Sequence, residues 1–272
     1  MAGQALNAIV EHRVEVAPGL LVLRVAPEGW ALPDFEPGQF AVLGLQAEAA
    51  RCPTADGENG SDVRPGRLIR RAYSIASSSR GSKYLEFFIT LVRSGSLSPR
   101  LFALAPGDRI WLGPRITGTF TLDQAPEDRH VVMVATGTGL APYMSMLRSG
   151  PPGWRNRRFA VLLGARHAAD LGYHGELETL ARLSDNFDYV PVISRPEAEP
   201  TGWTGRTGHV QDLWHAGALA EAWGFPPTPA TTSVFLCGNP AMVDDMLAIL
   251  AAEGYREHSR SEPGEVFVER YW

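Results

Sequence analysis

The pattern of apolar and polar positions changes character midway along the chain. From residue 8 to residue 122, apolar and polar positions alternate in short stretches punctuated by Gly and Pro. A period of two marks strands with one buried face. The pattern predicts strands over 8–16, 20–26, 40–45, 68–76, 84–92, 109–112 and 119–122. Short strands with this punctuation predict a small antiparallel barrel. Between 46 and 66 a run rich in Gly, Pro, Asp, Asn and Ser predicts a long surface loop.

Beyond residue 130 the rhythm becomes strand, helix, strand. Apolar runs at 131–135, 160–163, 189–193 and 233–236 read as buried strands, and 140–147, 176–183 and 241–253 as helices. Such alternation requires right-handed crossovers and a parallel sheet. The expected fold is therefore two-domain, β followed by α/β. An antiparallel β-barrel covers 1–125 and a parallel-sheet domain covers 126–272. Ligands of such sheets sit beyond the carboxyl ends of the strands.

Composition narrows the picture. The chain has 272 residues, about two domains at ~150 residues each. No apolar run approaches ~20 residues, so no membrane span is expected. Residues 1–10 lack the basic and apolar regions of a secretory leader, and the cytoplasm is the expected location. Two cysteines, Cys52 and Cys237, are too few for a four-thiolate iron–sulfur site and suggest no disulfide framework. No metal site is expected. The net charge of −5 argues against general nucleic-acid affinity. The charge is uneven, however. From Arg51 to Arg115 there are eleven basic and five acidic residues, a local +6, against −11 for the remainder. Every basic residue except Lys83 is arginine. A basic stretch in an acidic protein points to an anionic ligand or partner, or to a solvated face.

Several motifs carry chemistry. In Arg71-Ala72-Tyr73-Ser74, the guanidinium can neutralise a phosphate with a directional fork, and the aromatic face can pack on a flat heterocycle. In a strand, Arg71 and Tyr73 share one face and Ser74 takes the other. Downstream, Gly95-Ser96-Leu97-Ser98-Pro99 opens a predicted helix over 99–104, with Ser98 as N-cap and Pro99 in the first position. Free amides at a helix start suit a pyrophosphate.

In the second half, Gly137-Thr138-Gly139-Leu140-Ala141-Pro142 follows a strand and precedes a helix. Its glycines allow close approach of a dinucleotide. It lacks the Gly-Lys-Ser/Thr ending of an ATP-binding loop. Cys237-Gly238-Asn239-Pro240 closes the strand at 233–236 and precedes a helix. A cysteine there ordinarily packs as a small hydrophobe. Arg166 and Arg195 follow two parallel strands, and Arg206 lies in Thr204-Gly205-Arg206. Together they favour a coenzyme carrying a 2′-phosphate. The chain ends Val268-Glu269-Arg270-Tyr271-Trp272, two aromatics that need a packing partner.

The order and spacing of these motifs resemble the ferredoxin (flavodoxin)–NADP⁺ reductases of the bacterial type. The resemblance implies FAD in the barrel domain and NADP(H) in the second. It implies FAD contacts from Arg71, Ala72, Tyr73, Ser74, Ile89, Thr90, Leu91, Gly95, Ser96, Leu97, Ser98, Thr138, Tyr271 and Trp272. For NADP(H) it implies Gly137, Thr138, Gly139, Arg166, Ser194, Arg195, Arg206, Gly238, Asn239 and Met242. Ser74, Cys237, Glu269 and Tyr271 are implied near the hydride-transfer centre. The implied reaction passes a hydride between NADPH and FAD N5, and electrons singly to ferredoxin or flavodoxin, in a monomer. A flavoreductase serving an oxygenase or another partner and a non-catalytic flavin-binding redox sensor are the alternatives.

Overall fold

The computed structural model describes residues 5–58, 66–81, 83–151, 153–154, 156–199 and 202–270. By internal contacts the chain forms two units, Met1–Thr121 with Ala141–Ser149, and Leu122–Leu140 with Gly150–Trp272.

The first unit contains β1 (Ala8–Ala17), β2 (Leu20–Pro27), β3 (Phe40–Gln46), β4 (Leu68–Ser74), β5 (Leu85–Thr90) and β6 (Arg109–Leu112). All paired neighbours are antiparallel, in the order β4-β3-β6-β1-β2-β5. Past the end of β4, Ile75 bridges Phe87 and the Ala76 amide donates to the Glu86 carbonyl at 2.7 Å. The two outer strands thereby meet, and the sheet curls into a barrel. Leu21, Leu23, Leu43, Ile75, Phe87 and Ile110 fill its interior, all fully buried. Each contributes roughly 1.5–3 kcal/mol of apolar burial. Leu21 and Leu23 are two apart in sequence, so they share a face as the strand period demands.

Two short helices belong to this unit, α1 (Ser98–Phe102) and α2 (Ala141–Arg148). Tyr143, Met144 and Met146 of α2 are buried. Gly38 lets the chain pass beneath it. Its φ is +102°, and a Cβ there would strike the Phe120 carbonyl oxygen and lie 2.6 Å from the Met146 methyl.

The second unit holds β7 (His130–Thr136), β8 (Phe159–Ala165), α3 (His174–Leu183), β9 (Phe187–Ile193), β10 (Arg206–Thr207), α4 (Val210–His215), α5 (Ala218–Trp223), β11 (Thr232–Cys237), α6 (Pro240–Ala252) and β12 (Val266–Glu269). The sheet is parallel throughout, in the order β10-β9-β8-β7-β11-β12. From β7 the chain steps outward to β10, then returns to lay β11 and β12 on the other side. That reversal beside β7 is a topological switch point, where the crossovers diverge and leave a crevice. No described helix is long and apolar enough to cross a membrane.

Three expectations are corrected. No strand forms over 119–122. Pairing with Phe40 ends at Thr117, because Gly118 turns the backbone at φ +134°, and Leu122–Gln124 is a single 3₁₀ turn. The helix expected from residue 140 begins at Ala141, after a 3₁₀ turn over Gly137–Leu140. The N-cap of α1 is Leu97, not Ser98. The Ser98 hydroxyl is engaged with Val92, accepting its amide at 3.0 Å and lying 3.3 Å from its carbonyl. The helices α4 and α5 and the strands β10 and β12 were not anticipated by the pattern. They run from two to six residues, too short for a period to show.

Candidate functional site

The barrel unit arranges its motif on β4 and the turn before α1. Tyr73 packs edge-on against Phe87 at 6.5 Å between ring centroids. Burial pushes its phenol well above the ordinary range, with Arg71 pulling the other way. Ser74 is buried opposite Phe40. Arg71 and Ala72 are exposed, and the Arg71 guanidinium donates to the Arg70 carbonyl at 2.8 Å. Among the described residues its other donors meet no acceptor. Ile89 lies within the barrel core, Leu91 is half-buried and Thr90 is exposed.

Gly95 closes a tight turn, its amide donating to the Val92 carbonyl at 2.8 Å. Gly95 and Ser96 are half-buried and Leu97 is buried. The amides of Ser96, Leu97 and Ser98 have no acceptor among the described residues, as the first turn of a helix dictates. Free amides and an exposed guanidinium are each donors of the kind a pyrophosphate takes.

Sequence reasoning missed what holds this turn. Arg100, 2 % exposed, donates to the Ser96 carbonyl at 2.6 Å, to the Ala47 carbonyl, and to Glu58 at 2.7 Å. Arg51 donates to the carbonyls of Gly95, Asp56 and Arg93 at 2.9–3.0 Å. The Arg100 guanidinium in turn holds the Glu58 carboxyl below its ordinary range. Residues 46–58 of the expected loop are thus pinned to the turn, while 59–65 lie outside the described residues. No sequence signal distinguishes Arg100 from an ordinary exposed helix arginine.

A second network lies just past the end of β4, beside the start of β5. Glu86, 2 % exposed, accepts from Arg24 at 2.7 Å and from Arg148 of α2 at 2.6 Å. Arg148 also donates to the Ala76 carbonyl, and Ser145 to the Ser77 carbonyl, both at 2.8 Å. The chain just past Ser74 is therefore fixed by α2.

In the parallel-sheet unit, the switch point carries the glycine turn and the cysteine turn side by side. Gly139 meets the end of β11 so closely that a Cβ would strike the Cys237 carbonyl oxygen and lie 2.7 Å from Gly238 Cα. Gly238, at φ +143°, passes Thr136 equally closely. The Thr136 hydroxyl accepts the Asn239 amide at 2.8 Å, and the Asn239 side chain caps α6 through the Ala241 amide at 2.9 Å. Thr136 was missed, although it directly precedes the quoted hexapeptide. Gly137, at φ +54°, faces open space, and Thr138 beside it is half-buried.

Cys237 is fully buried and pairs across the sheet with Glu269. Its thiol donates to the Glu269 carboxylate at 3.8 Å. Two residues singled out separately in sequence are thus adjacent. Met242, 4 % exposed, lies in the core cluster beneath the sheet. Arg270 is held to Asp244 of α6 at 2.8 Å. Tyr271 and Trp272 lie outside the described residues.

The arginines gather at the far side of the same carboxyl edge. The Ser194 amide donates to the Ala165 carbonyl and the Arg195 amide to the Arg166 carbonyl, both at 3.0 Å. The β8–β9 ladder therefore continues past both strands and sets Arg166 and Arg195 side by side. Arg206 lies on β10, opposite Val192. All three are exposed.

The model of the oxidoreductase NAD-binding domain family matches residues 133–247. The flavodoxin/ferredoxin–NADP reductase of Shigella flexneri is 35 % identical, covering 88 % of this chain and 88 % of its own. The ferredoxin–NADP reductase of Azotobacter vinelandii is 30 % identical over 87 % of this chain and 86 % of its own. Among solved structures, a ferredoxin NADP⁺ reductase from Neisseria gonorrhoeae with bound FAD and NADP is 25 % identical. It superposes with a TM-score of 0.80 over 99 % of this chain and 100 % of its own.

Proposed function

The chain belongs to the ferredoxin/flavodoxin–NADP reductase family, and on that premise we propose that it moves electrons between NADPH and ferredoxin or flavodoxin through FAD. The observation that carries this reading is the likeness of 35 % over 88 % of both lengths. The alternatives, a reductase dedicated to an oxygenase and a flavin-binding sensor, find less support in these relatives. A bound FAD supplies the exchange of a hydride for single electrons; the protein orients the reactants and sets their surroundings.

In this reading Arg71 and the amides of Ser96, Leu97 and Ser98 hold the flavin pyrophosphate, and Tyr73 packs on the ring system. The glycine turn and Gly238 admit the coenzyme's backbone-close portion. Cys237, Glu269 and Ser74 are the polar groups nearest the transfer, with Glu269 retaining the Cys237 thiol in one orientation. Stopped-flow reduction of the yellow protein with NADPH and NADH in parallel tests the reading. Rapid flavin bleaching by NADPH is expected, and a protein that binds flavin but is reduced by neither coenzyme would overturn it.

Arg71→Ala is expected to weaken FAD retention by roughly 1.5–3 kcal/mol, the loss of charge-assisted hydrogen bonds. Isothermal titration of the apoprotein with FAD reads this directly, and unchanged affinity would remove Arg71 from the pyrophosphate.

Arg166, Ser194, Arg195 and Arg206 contact the 2′-phosphate end in the same reading. Replacing Arg195 and Arg206 together should raise the KM for NADPH by tenfold or more relative to that for NADH, since two charge-assisted contacts of ~1.5–3 kcal/mol are lost. Equal losses for both coenzymes would assign the pair to the fold or the shared pyrophosphate.

The carrier is the third partner. Arg67, just before β4, and Arg70 and Arg71 on it are exposed, as are Arg80, Lys83 and Arg115 of the same unit. Within the stretch the buried Arg100 is paired with Glu58, so that pair cancels and the +6 is carried by the other side chains. An acidic ferredoxin or flavodoxin fits this surface, and its association should slow as salt rises past physiological strength, where screening acts over ~8 Å. Salt-independent association would argue against electrostatic docking. The same proposal has the chain acting as a cytoplasmic monomer, which sedimentation at working concentration tests for the oligomeric state.

A further inference from the structure

The three arginines at the carboxyl edge do not start from the same state. Among the described residues, the side chains of Arg166 and Arg195 make no hydrogen bond or ion pair. Arg206 differs, because its guanidinium donates to the Glu221 carboxylate at 2.7 Å.

Both partners stand on fixed backbone. Arg206 is paired to Val192, its carbonyl accepts the Trp203 indole N–H at 2.8 Å, and the following Gly208 amide donates to the Ile193 carbonyl at 2.9 Å. Glu221 rides on α5, which Ala218, Leu219 and Trp223 anchor in the core. Trp223 is further tied to Asp188 of β9 at 2.9 Å. The charged heads remain in water, with side-chain exposures of 44 % and 74 %. They border an open cavity of about 700 Å³ along the outer edge of β9. Other polar groups lining that cavity satisfy one another, such as His174 and Tyr189 at 3.1 Å, so the cavity itself demands no ligand.

We propose that Glu221 tempers coenzyme selectivity by competing with the 2′-phosphate of NADPH for Arg206. This rests on the reading of Arg206 as a phosphate contact. A carboxylate held 2.7 Å from the guanidinium occupies donors that the phosphate needs. It also stands close to any dianion that shares the group, and like charges repel. The pair is exposed, so its own contribution is small and is screened by salt. A carboxylate about 6 Å from a phosphate in water-like surroundings lowers affinity on the order of threefold at physiological ionic strength. NADH carries no 2′-phosphate and is indifferent to Glu221.

The test compares Glu221→Gln, Arg206→Ala and the double variant as full-length, FAD-loaded protein. The readout is the ratio of NADPH to NADH affinity at low and high salt, with thermal melts to confirm folding. Glu221→Gln is expected to shift the ratio about threefold toward NADPH, with the gain fading at high salt and shrinking in the Arg206→Ala background. A ratio that stays unchanged or moves toward NADH in Glu221→Gln, while Arg206→Ala still selectively weakens NADPH, overturns the role of Glu221 and leaves the phosphate reading standing. If Arg206→Ala weakens both coenzymes equally, the phosphate reading of Arg206 falls, and the inference with it.

Discussion

Gly139→Ala should cost the protein at least about tenfold in kcat/KM for NADPH, a loss of ~1.4 kcal/mol or more in transition-state stabilisation, while leaving FAD content intact. The glycine turn after β7 and the cysteine turn after β11 touch backbone to backbone. A methyl group at 139 would collide with the Cys237 carbonyl and come within 2.7 Å of Gly238 Cα. Neither backbone can yield locally. Gly238 is itself pressed against Thr136, and the Thr136 hydroxyl holds the Asn239 amide at 2.8 Å. The strain must therefore part the two turns that form the switch-point crevice. FAD should stay bound because Arg71, Tyr73 and the amides of residues 96–98 belong to the other unit. Steady-state kinetics together with the flavin absorbance of the purified variant decide the matter. A variant with near-normal NADPH kinetics would move the coenzyme away from this turn.

The second large effect concerns Glu86. Glu86→Ala should lower unfolding stability by about 2–4 kcal/mol, at and somewhat below the ~3–5 kcal/mol typical of removing one member of a buried ion pair. The carboxylate is 2 % exposed and joins Arg24 on β2 to Arg148 on α2. Its loss takes a carboxylate at 2.6 Å away from Arg148, which also donates to the Ala76 carbonyl at 2.8 Å. The figure stays below the extreme because the two arginine side chains are 39 % and 23 % exposed and can turn partly to water. Because α2 fixes the chain just past Ser74, the same variant should also loosen FAD. Urea unfolding of the FAD-loaded protein measures the first effect, and a midpoint unchanged from wild type would show that the network contributes nothing net.

These two residues illustrate different kinds of legibility. Gly139 was visible in the sequence because a strand, a glycine-rich turn and a helix are local features with their own residue preferences. Glu86 was not. It sits in an alternating strand at a position that reads as solvent-facing, and only the arrival of Arg24 from β2 and of Arg148 from a helix, each 62 residues away, makes burial tolerable.

The same division runs through the molecule. Binary patterning over short windows determined that barrel strands precede alternating strands and helices, since periods of two and 3.6 are properties of neighbouring residues. It also placed the Arg71–Ser74 strand, the glycine turn and the Cys237 turn at strand ends. It failed at 119–122, where Gly118 bends the chain out of register, and at β10, α4, α5 and β12, whose few residues carry no period. Tertiary structure alone decided which of those strand ends became neighbours. Cys237 lies beside Glu269 because β12 adds to β11 in register. Arg166 lies beside Arg195 because the β8–β9 ladder runs on past both strands. Arg100, which reads in the sequence as one more member of a basic stretch, became a buried brace because the loop at 46–58 folds back over it. Such pairings depend on contacts between residues tens of positions apart, and no local pattern encodes their partner.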